Sequence, residues 1–273
     1  MSELDYSLLD AIKSMAGEYQ VEDKSKDYSI NYNIDENSED IEILDFMVVF
    51  LCERLRPIKK AFKGGYVLMK LLPEQARYSH DIDFSISSEE QYDNVKLVLD
   101  DLGKVLVDNK VISNYTIKDE IAPTKSGGII CNRDNLKSNI GIDIGLHDIS
   151  YGIGEWKILG FTENVFLIER MLADKLSAIY SPKRFRRAKD LYDVYILKQS
   201  TPNINYKVLL EFINKRGITW EKTPFQEKVI VEYKRAYDKL KIENISTHVI
   251  VDKPSFEECI NTLQKIVIEV RSM

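Results

Sequence analysis

Residues 62–86 read FKGGYVLMKLLPEQARYSHDIDFSI, with a diglycine near the start and Asp81-Ile82-Asp83 inside an apolar run near the end. Side chains alternate between the two faces of a strand, so carboxylates at i and i+2 project from the same side. Two neighbouring carboxylates repel each other, and a cation between them relieves that repulsion. Asp81 and Asp83 therefore read as metal ligands; a lone DxD is a common accident, but Phe84-Ser85-Ile86 continues the strand and keeps the acids out of a turn. Upstream, Gly64-Gly65 falls where a short strand hands over to a helix over Tyr66–Leu72. Backbone N–H groups at such a junction have no Cβ in the way and share the helix's positive end, which suits a phosphate. A phosphate cradle followed by paired carboxylates is the minimal equipment for handling a nucleoside triphosphate.

Outward from this stretch, Ile41, Leu44, Val48, Leu51 and Leu55 fall at helical spacing, with Ser38 as a candidate N-cap and Pro57 as the stop. This helix is expected to pack beneath the Phe62–Gly65 turn. Leu4–Met15 reads as a short helix, and the polar stretch 17–40 as a loop or loosely packed arm. Beyond Asp83, Ser87-Ser88 is placed to cap a helix over Glu89–Val107. Tyr115–Asn132 looks like a hairpin turning at Lys125-Ser126-Gly127-Gly128. A strong strand follows over Asn139–His147, then an edge strand over Tyr151–Phe161. From Thr162 the period changes from two to about 3.6. Helices are expected along Val165–Ile179, through Leu191–Tyr195, and at Tyr206–Lys215, Phe225–Lys241 and Ser255–Val270. The expected division is 1–161 for a sheet-bearing core and 162–273 for a helical part, with no spacer between them and no internal repeat.

Composition excludes several classes. Hydrophobic content of 44% with 30% charged residues describes a globular protein of 273 residues rather than a disordered chain. A net charge of −6 argues against wholesale coating of nucleic acid. Cys52, Cys131 and Cys259 are scattered without CxxC spacing, so a zinc framework or disulfide scaffold is not expected, and a reducing cytoplasm is. Ile43–Cys52 is too short to span a bilayer and contains Asp45, so no membrane is implied.

Asp143 is the third acid to consider. It sits within Ile140–Leu146, where every neighbour is apolar or glycine, and an unpaired carboxylate buried there would cost several kcal/mol. Its partner is either a cation shared with Asp81 and Asp83 or a single salt bridge, with Arg77 as one possible donor. Three converging acids would hold two divalent ions, which can align an attacking hydroxyl and stabilise leaving pyrophosphate. Lys175 lies at the edge of its helix's apolar stripe and either snorkels from the core or points into a cleft towards the triphosphate. Asp190 stands four residues after Arg186, an ordinary helical pairing. Lys183, Arg184, Arg186, Arg187 and Lys189 form the one dense basic cluster, either a solvated face or a hold for an RNA backbone. His80, His147 and His248 have no metal-ligand spacing and read as structural.

These features together resemble the AbiEii/AbiGii-type nucleotidyltransferases, which include the MenT-like enzymes and serve as toxins in bacterial toxin–antitoxin and phage-abortive-infection systems. The residues that carry the likeness are Lys63-Gly64-Gly65 with Leu68, Arg77-Tyr78-Ser79-His80-Asp81-Ile82-Asp83-Phe84, Glu169 to Ala178 around Lys175, and Lys189-Asp190-Leu191-Tyr192-Asp193-Val194-Tyr195. Order and spacing agree over roughly residues 60 to 197, and four parts in register are far more specific than any one of them. Two departures are modest: Gly64-Gly65 stands where many members have Gly-Ser, and Lys189 where an arginine usually precedes the aspartate.

The resemblance implies an α+β fold, a mixed-sheet polymerase-β-like core followed by a helical C-terminal domain that completes the active site. It implies Mg2+ at Asp81 and Asp83, with two ions if Asp143 joins them. Lys63, Gly64, Gly65, Arg77 and Ser79 fall in the nucleotide-binding motifs, and Lys175 and Asp190 would form a catalytic pair. The implied reaction moves a nucleotide from an NTP to an RNA acceptor, the tRNA 3′ end being the known type, which blocks translation until a separately encoded antitoxin intervenes. Alternatives are a transferase that attaches AMP to a protein and an NTP-binding module without turnover. The last ~75 residues carry no motif of the family.

Overall fold

Alternation along DIDFSI and IGIDIGL builds two neighbouring parallel strands, and the rest of the sheet is laid out around them. The computed structural model describes residues 20–22, 34–133, 139–180, 187–218, 227–243 and 252–273. Within these, the chain divides into two units. A sheet unit takes the described residues up to Leu71 together with Ser79–Phe166, and a helical unit takes Leu72–Tyr78 and Leu167–Met273. The expected helix over Leu4–Met15, most of the polar arm, the basic residues Lys183, Arg184 and Arg186, and His248 lie outside the described residues.

The sheet unit contains β1 (Gln20–Glu22), β2 (Lys60–Lys63), β3 (Asp81–Ile86), β4 (Asn114–Lys118), β5 (Gly127–Asn132), β6 (Ile140–Leu146), β7 (Ile153–Ile158) and β8 (Phe161–Phe166). They form one eight-stranded sheet in the order β1-β7-β8-β2-β3-β6-β5-β4. β3–β6, β2–β8 and β1–β7 run parallel and the other pairs antiparallel, so the sheet is mixed and the fold α+β, as expected. Ile82, Phe84 and Ile86 of β3 lie beside Ile140, Ile142 and Ile144 of β6, all buried. Each such side chain contributes about 1.5–3 kcal/mol by leaving water.

Helices α1 (Asp40–Arg54), α2 (Gly64–Leu71) and α3 (Glu90–Asp108) complete this unit. Asp45, the odd charge in the apolar α1, accepts from the Tyr66 hydroxyl at 2.6 Å and from Lys70 at 2.7 Å, which ties α1 to α2. On α3, Tyr92 lies against β5, and a Cβ on Gly127 would come within 2.4 Å of its ring.

Several expectations need correction. Ser38 does not cap α1; Glu39 is the N-cap, and its N–H donates to Glu42 at 3.0 Å. No serine caps α3, whose N-cap is Glu89. Gly127 and Gly128 are not the hairpin turn but the first residues of β5, required by close approach. A Cβ on Gly128 would sit 1.9 Å from the Ile142 carbonyl oxygen. Within the polar arm, Gln20–Glu22 forms β1 alongside β7, so β7 is not an edge. Residues 161–166 are strand rather than helix: Leu159 and Gly160 both adopt positive φ, 49° and 82°, the geometry of a tight two-residue hairpin turn.

The helical unit comprises α4 (Ile168–Tyr180), α5 (Ala188–Ser200), α6 (Tyr206–Lys215), α7 (Glu227–Asp238) and α8 (Phe256–Arg271). Leu172, Leu176, Leu191, Val194, Leu209 and Leu263 are fully buried. Asn205 caps α6 through its side chain, and Ser255 with Glu258 forms a capping box at α8. The segment Leu72–Tyr78 is held to α5 by the Tyr192 hydroxyl, which donates to the Gln75 carbonyl at 2.5 Å.

Candidate active site

β3 and β6 pair in register, Asp83 opposite Asp143 and Asp81 opposite Gly141. Directly paired residues share a face, so Asp81, Asp83 and Asp143 project together. The row through Asp83 crosses five strands: Lys63 of β2, Asp83 of β3, Asp143 of β6, Gly128 of β5 and Lys118 of β4. Two carboxylates at its centre are thus flanked by two lysines.

Glycines let neighbouring groups pack closely around these acids; the His147 ring and Lys63 Nζ take the space a Cβ on Gly145 would fill. Gly64 opens α2 with φ of 80°, and a Cβ there would lie 2.0 Å from Asp83 Oδ2. Gly141 and Gly145 flank Asp143 on its own face. The expectation of a desolvated Asp143 is corrected: its side chain is 49% exposed. Nor does it pair with Arg77: Lys118 Nζ donates to Asp143 Oδ1 at 2.5 Å and to Ser126 Oγ at 3.1 Å. Lys118 is missing from the sequence reading, because its role depends on the strand register.

Ser79 is buried, and its hydroxyl donates to the Asp81 carbonyl at 3.2 Å, which steadies the entry to β3. Lys63 Nζ lies 3.4 Å from His147 Nδ1, and Ser85 Oγ 2.8 Å from the same nitrogen. His80 pairs with Asp40, 3.5 Å away.

A hard divalent cation such as Mg2+ fits this face. Asp81 and Asp83 offer carboxylate oxygens, the donors such ions prefer, and Gly64 lets Asp83 pack against the start of α2. Among the described residues no three His, Cys, Asp or Glu side chains are gathered tightly enough to hold an ion by themselves.

In the helical unit, Lys175 of α4 lies between Asp190 Oδ1 at 2.9 Å and Asp193 Oδ2 at 2.7 Å. Arg77 donates to both oxygens of Asp193, from Nε at 3.0 Å and Nη2 at 3.1 Å. Burial opposes the Lys175 charge, but the Asp193 and Asp190 carboxylates outweigh it and push its pKa above the usual lysine range. Burial likewise opposes ionisation of Asp193, and Lys175 and Arg77 outweigh it, holding its carboxyl low. Asp190 Oδ2 is buried with no hydrogen-bond partner among the described residues. Asp193 stands in the quoted motif, but its pairing with Arg77 was not legible because the two are 116 positions apart.

The sheet order and the helices that follow it are shared with solved structures of low sequence identity, which speaks for the fold. The structure of JHP933 from Helicobacter pylori is similar with a TM-score of 0.52 at 19% identity, over 86% of this chain and 95% of that one. The antibiotic-resistance factor ANT(2'')-Ia is similar over 65% of this chain and 92% of that one, with a TM-score of 0.43 at 14% identity. No curated protein matches the chain. Residues 49–262 match the family described as "Nucleotidyl transferase AbiEii toxin, Type IV TA system". The chain belongs to the AbiEii family, and its chemistry is nucleotidyl transfer from an NTP in a system with an antitoxin partner. Among the described residues no helix is long and apolar enough to cross a membrane.

Proposed function

We propose that this chain transfers a nucleotide from an NTP to an RNA acceptor, the 3′ end of tRNA, in an Mg2+-dependent reaction that blocks translation in the cytoplasm. The observation that carries the reading is that Asp81, Asp83 and Asp143 share one sheet face, with Asp83 packed against Gly64 at the N-terminus of α2. Asp81 and Asp83 would hold Mg2+, with Asp143 available to a second ion. When bound, Mg2+ supplies charge stabilisation at the α-phosphate and at departing pyrophosphate.

The chain's own residues do the rest. N–H groups of Gly64 and Gly65 bind the polyphosphate at the start of α2, helped by the helix's positive end. Lys63 neutralises charge beside Asp83. Ser79 and Arg77 act as positioning residues, Ser79 by its bond to the Asp81 carbonyl and Arg77 by its fork on Asp193. Lys175 positions Asp190, whose Oδ2 retains acceptor capacity for a substrate group. A buried acceptor left open costs about 1–3 kcal/mol, a cost understandable where a ligand takes it up.

Incubation with each α-labelled NTP, Mg2+ and total RNA tests the reading, with lysate protein as a parallel acceptor. Label in the tRNA band, lost on 3′-end removal, is expected. Label in protein alone would replace the RNA reading with protein modification. Tight NTP binding with no pyrophosphate release on any acceptor would reduce the chain to a sensor.

A further inference from the structure

The row across the sheet contains one charged residue that the reaction so far leaves without a task. Lys118 is in β4, the last strand at its end of the sheet. Its backbone is fixed on the helix-covered side, where the Tyr92 hydroxyl accepts from the Gly128 N–H at 2.8 Å and donates to the Lys118 carbonyl at 2.5 Å. Its side chain crosses to the acid-bearing face. Between Lys118 and Asp143 stands Gly128, paired with both, and having no side chain it lets the lysine reach across a whole strand. The ammonium is then held by Asp143 Oδ1 and Ser126 Oγ.

We propose that Lys118 is a resident counter-ion that gates the second divalent cation: its ammonium occupies Asp143, and a second ion binds there only by displacing it. This rests on the reading of Asp81, Asp83 and Asp143 as the metal-binding face. An ammonium and a divalent ion compete for the same carboxylate oxygens, and both cannot be held there without strong repulsion. The first ion, at Asp81 and Asp83, is untouched by the competition. The second ion is therefore weak in the resting protein and strengthens once triphosphate oxygens add to its ligands. Ser126 and the 30% exposure of Lys118 give the displaced ammonium a polar place to go. Lys118 is thus a positioning residue that couples the second ion to substrate.

Mn2+ titration of the full chain without nucleotide, followed by the EPR signal of the free ion, tests this. The wild type is expected to bind a first ion measurably and a second more weakly still. Lys118→Met should tighten the second ion by up to about fivefold, the order expected for removing a partly exposed ion pair. Lys118→Gln should act like Lys118→Met, Lys118→Arg like the wild type, and adding Asp143→Asn to Lys118→Met should erase the gain. Lys125→Ala, which removes the exposed pair with Glu120, serves as a control and should change nothing. Identical second-ion affinity in the wild type, Lys118→Met and Lys118→Gln would overturn the gate while leaving the metal face standing. Unchanged Mn2+ binding in Asp83→Asn would overturn both.

Discussion

Removal of one carboxylate from the helical unit should cost more stability than any other single charge change in it. The Asp193 side chain is 1% exposed and accepts three charged hydrogen bonds, two from Arg77 and one from Lys175. In Asp193→Ala, Lys175 keeps only Asp190 as a counter-charge, and Arg77 loses both bonds of its fork. Breaking a buried pair by deleting one partner costs about 3–5 kcal/mol, and for a chain of this size that lowers the unfolding midpoint by about 10 °C. The exposed pair Lys234–Glu257 is the contrast: Lys234→Ala should leave the unfolding midpoint almost unchanged. Thermal unfolding followed by circular dichroism reads both. The pH dependence adds a sign. Asp193 is held below its ordinary 3.8, so its stabilisation is present above pH 3.8 and is lost as pH falls through its folded value. Lys175 is raised above its ordinary 10.5, so its share is intact below pH 10.5 and fades beyond. The gap between wild type and Asp193→Ala should therefore be flat from about pH 5 to 9 and shrink in acid. A loss within about 1 kcal/mol, or a gap that grows in acid, would refute the reasoning.

Other predictions follow from the glycines and thiols. Gly64→Ala places a methyl group against Asp83 at a backbone φ that favours glycine, so transfer should fall by at least about a hundredfold while circular dichroism stays native. In Gly128→Ala the added carbon meets a backbone carbonyl that cannot swing aside, and a loss of about 3 kcal/mol or more in denaturant unfolding is expected. Cys52, Cys131 and Cys259 are buried and free, and burial pushes Cys131 up to about 12 and Cys259 up to about 11. None of the three should react with iodoacetamide at neutral pH until the chain is denatured, as counted by mass spectrometry.

The acid-bearing face was legible because its signal is local. The alternation in IGIDIGL puts Asp143 between two glycines on one face and three isoleucines on the other, and DIDFSI does the same for Asp81 and Asp83. The helices were legible where periodicity and caps agree, as at Tyr206–Lys215 and behind Ser255. What escaped depends on partners far along the chain. Lys118 reaches Asp143 only because β4, β5 and β6 pair in a particular register, and Arg77 reaches Asp193 across 116 positions. The turn at Leu159-Gly160 escaped for another reason. Its usual signal is Asn-Gly or Asp-Gly, and a leucine with positive φ announces nothing, so β8 was read as the start of a helix. Two capping serines failed because glutamates stood next in line: Glu39 and Glu89 took the N-cap positions.

Pyrophosphate release from NTP in the presence of Mg2+ and total RNA, compared between wild type and Asp83→Asn of unchanged unfolding midpoint, tests the role of the paired acids most directly. The account predicts release by the wild type and a loss of at least about a thousandfold in the variant, since asparagine keeps the shape but not the charge that holds the ion. Equal release by both proteins would contradict it.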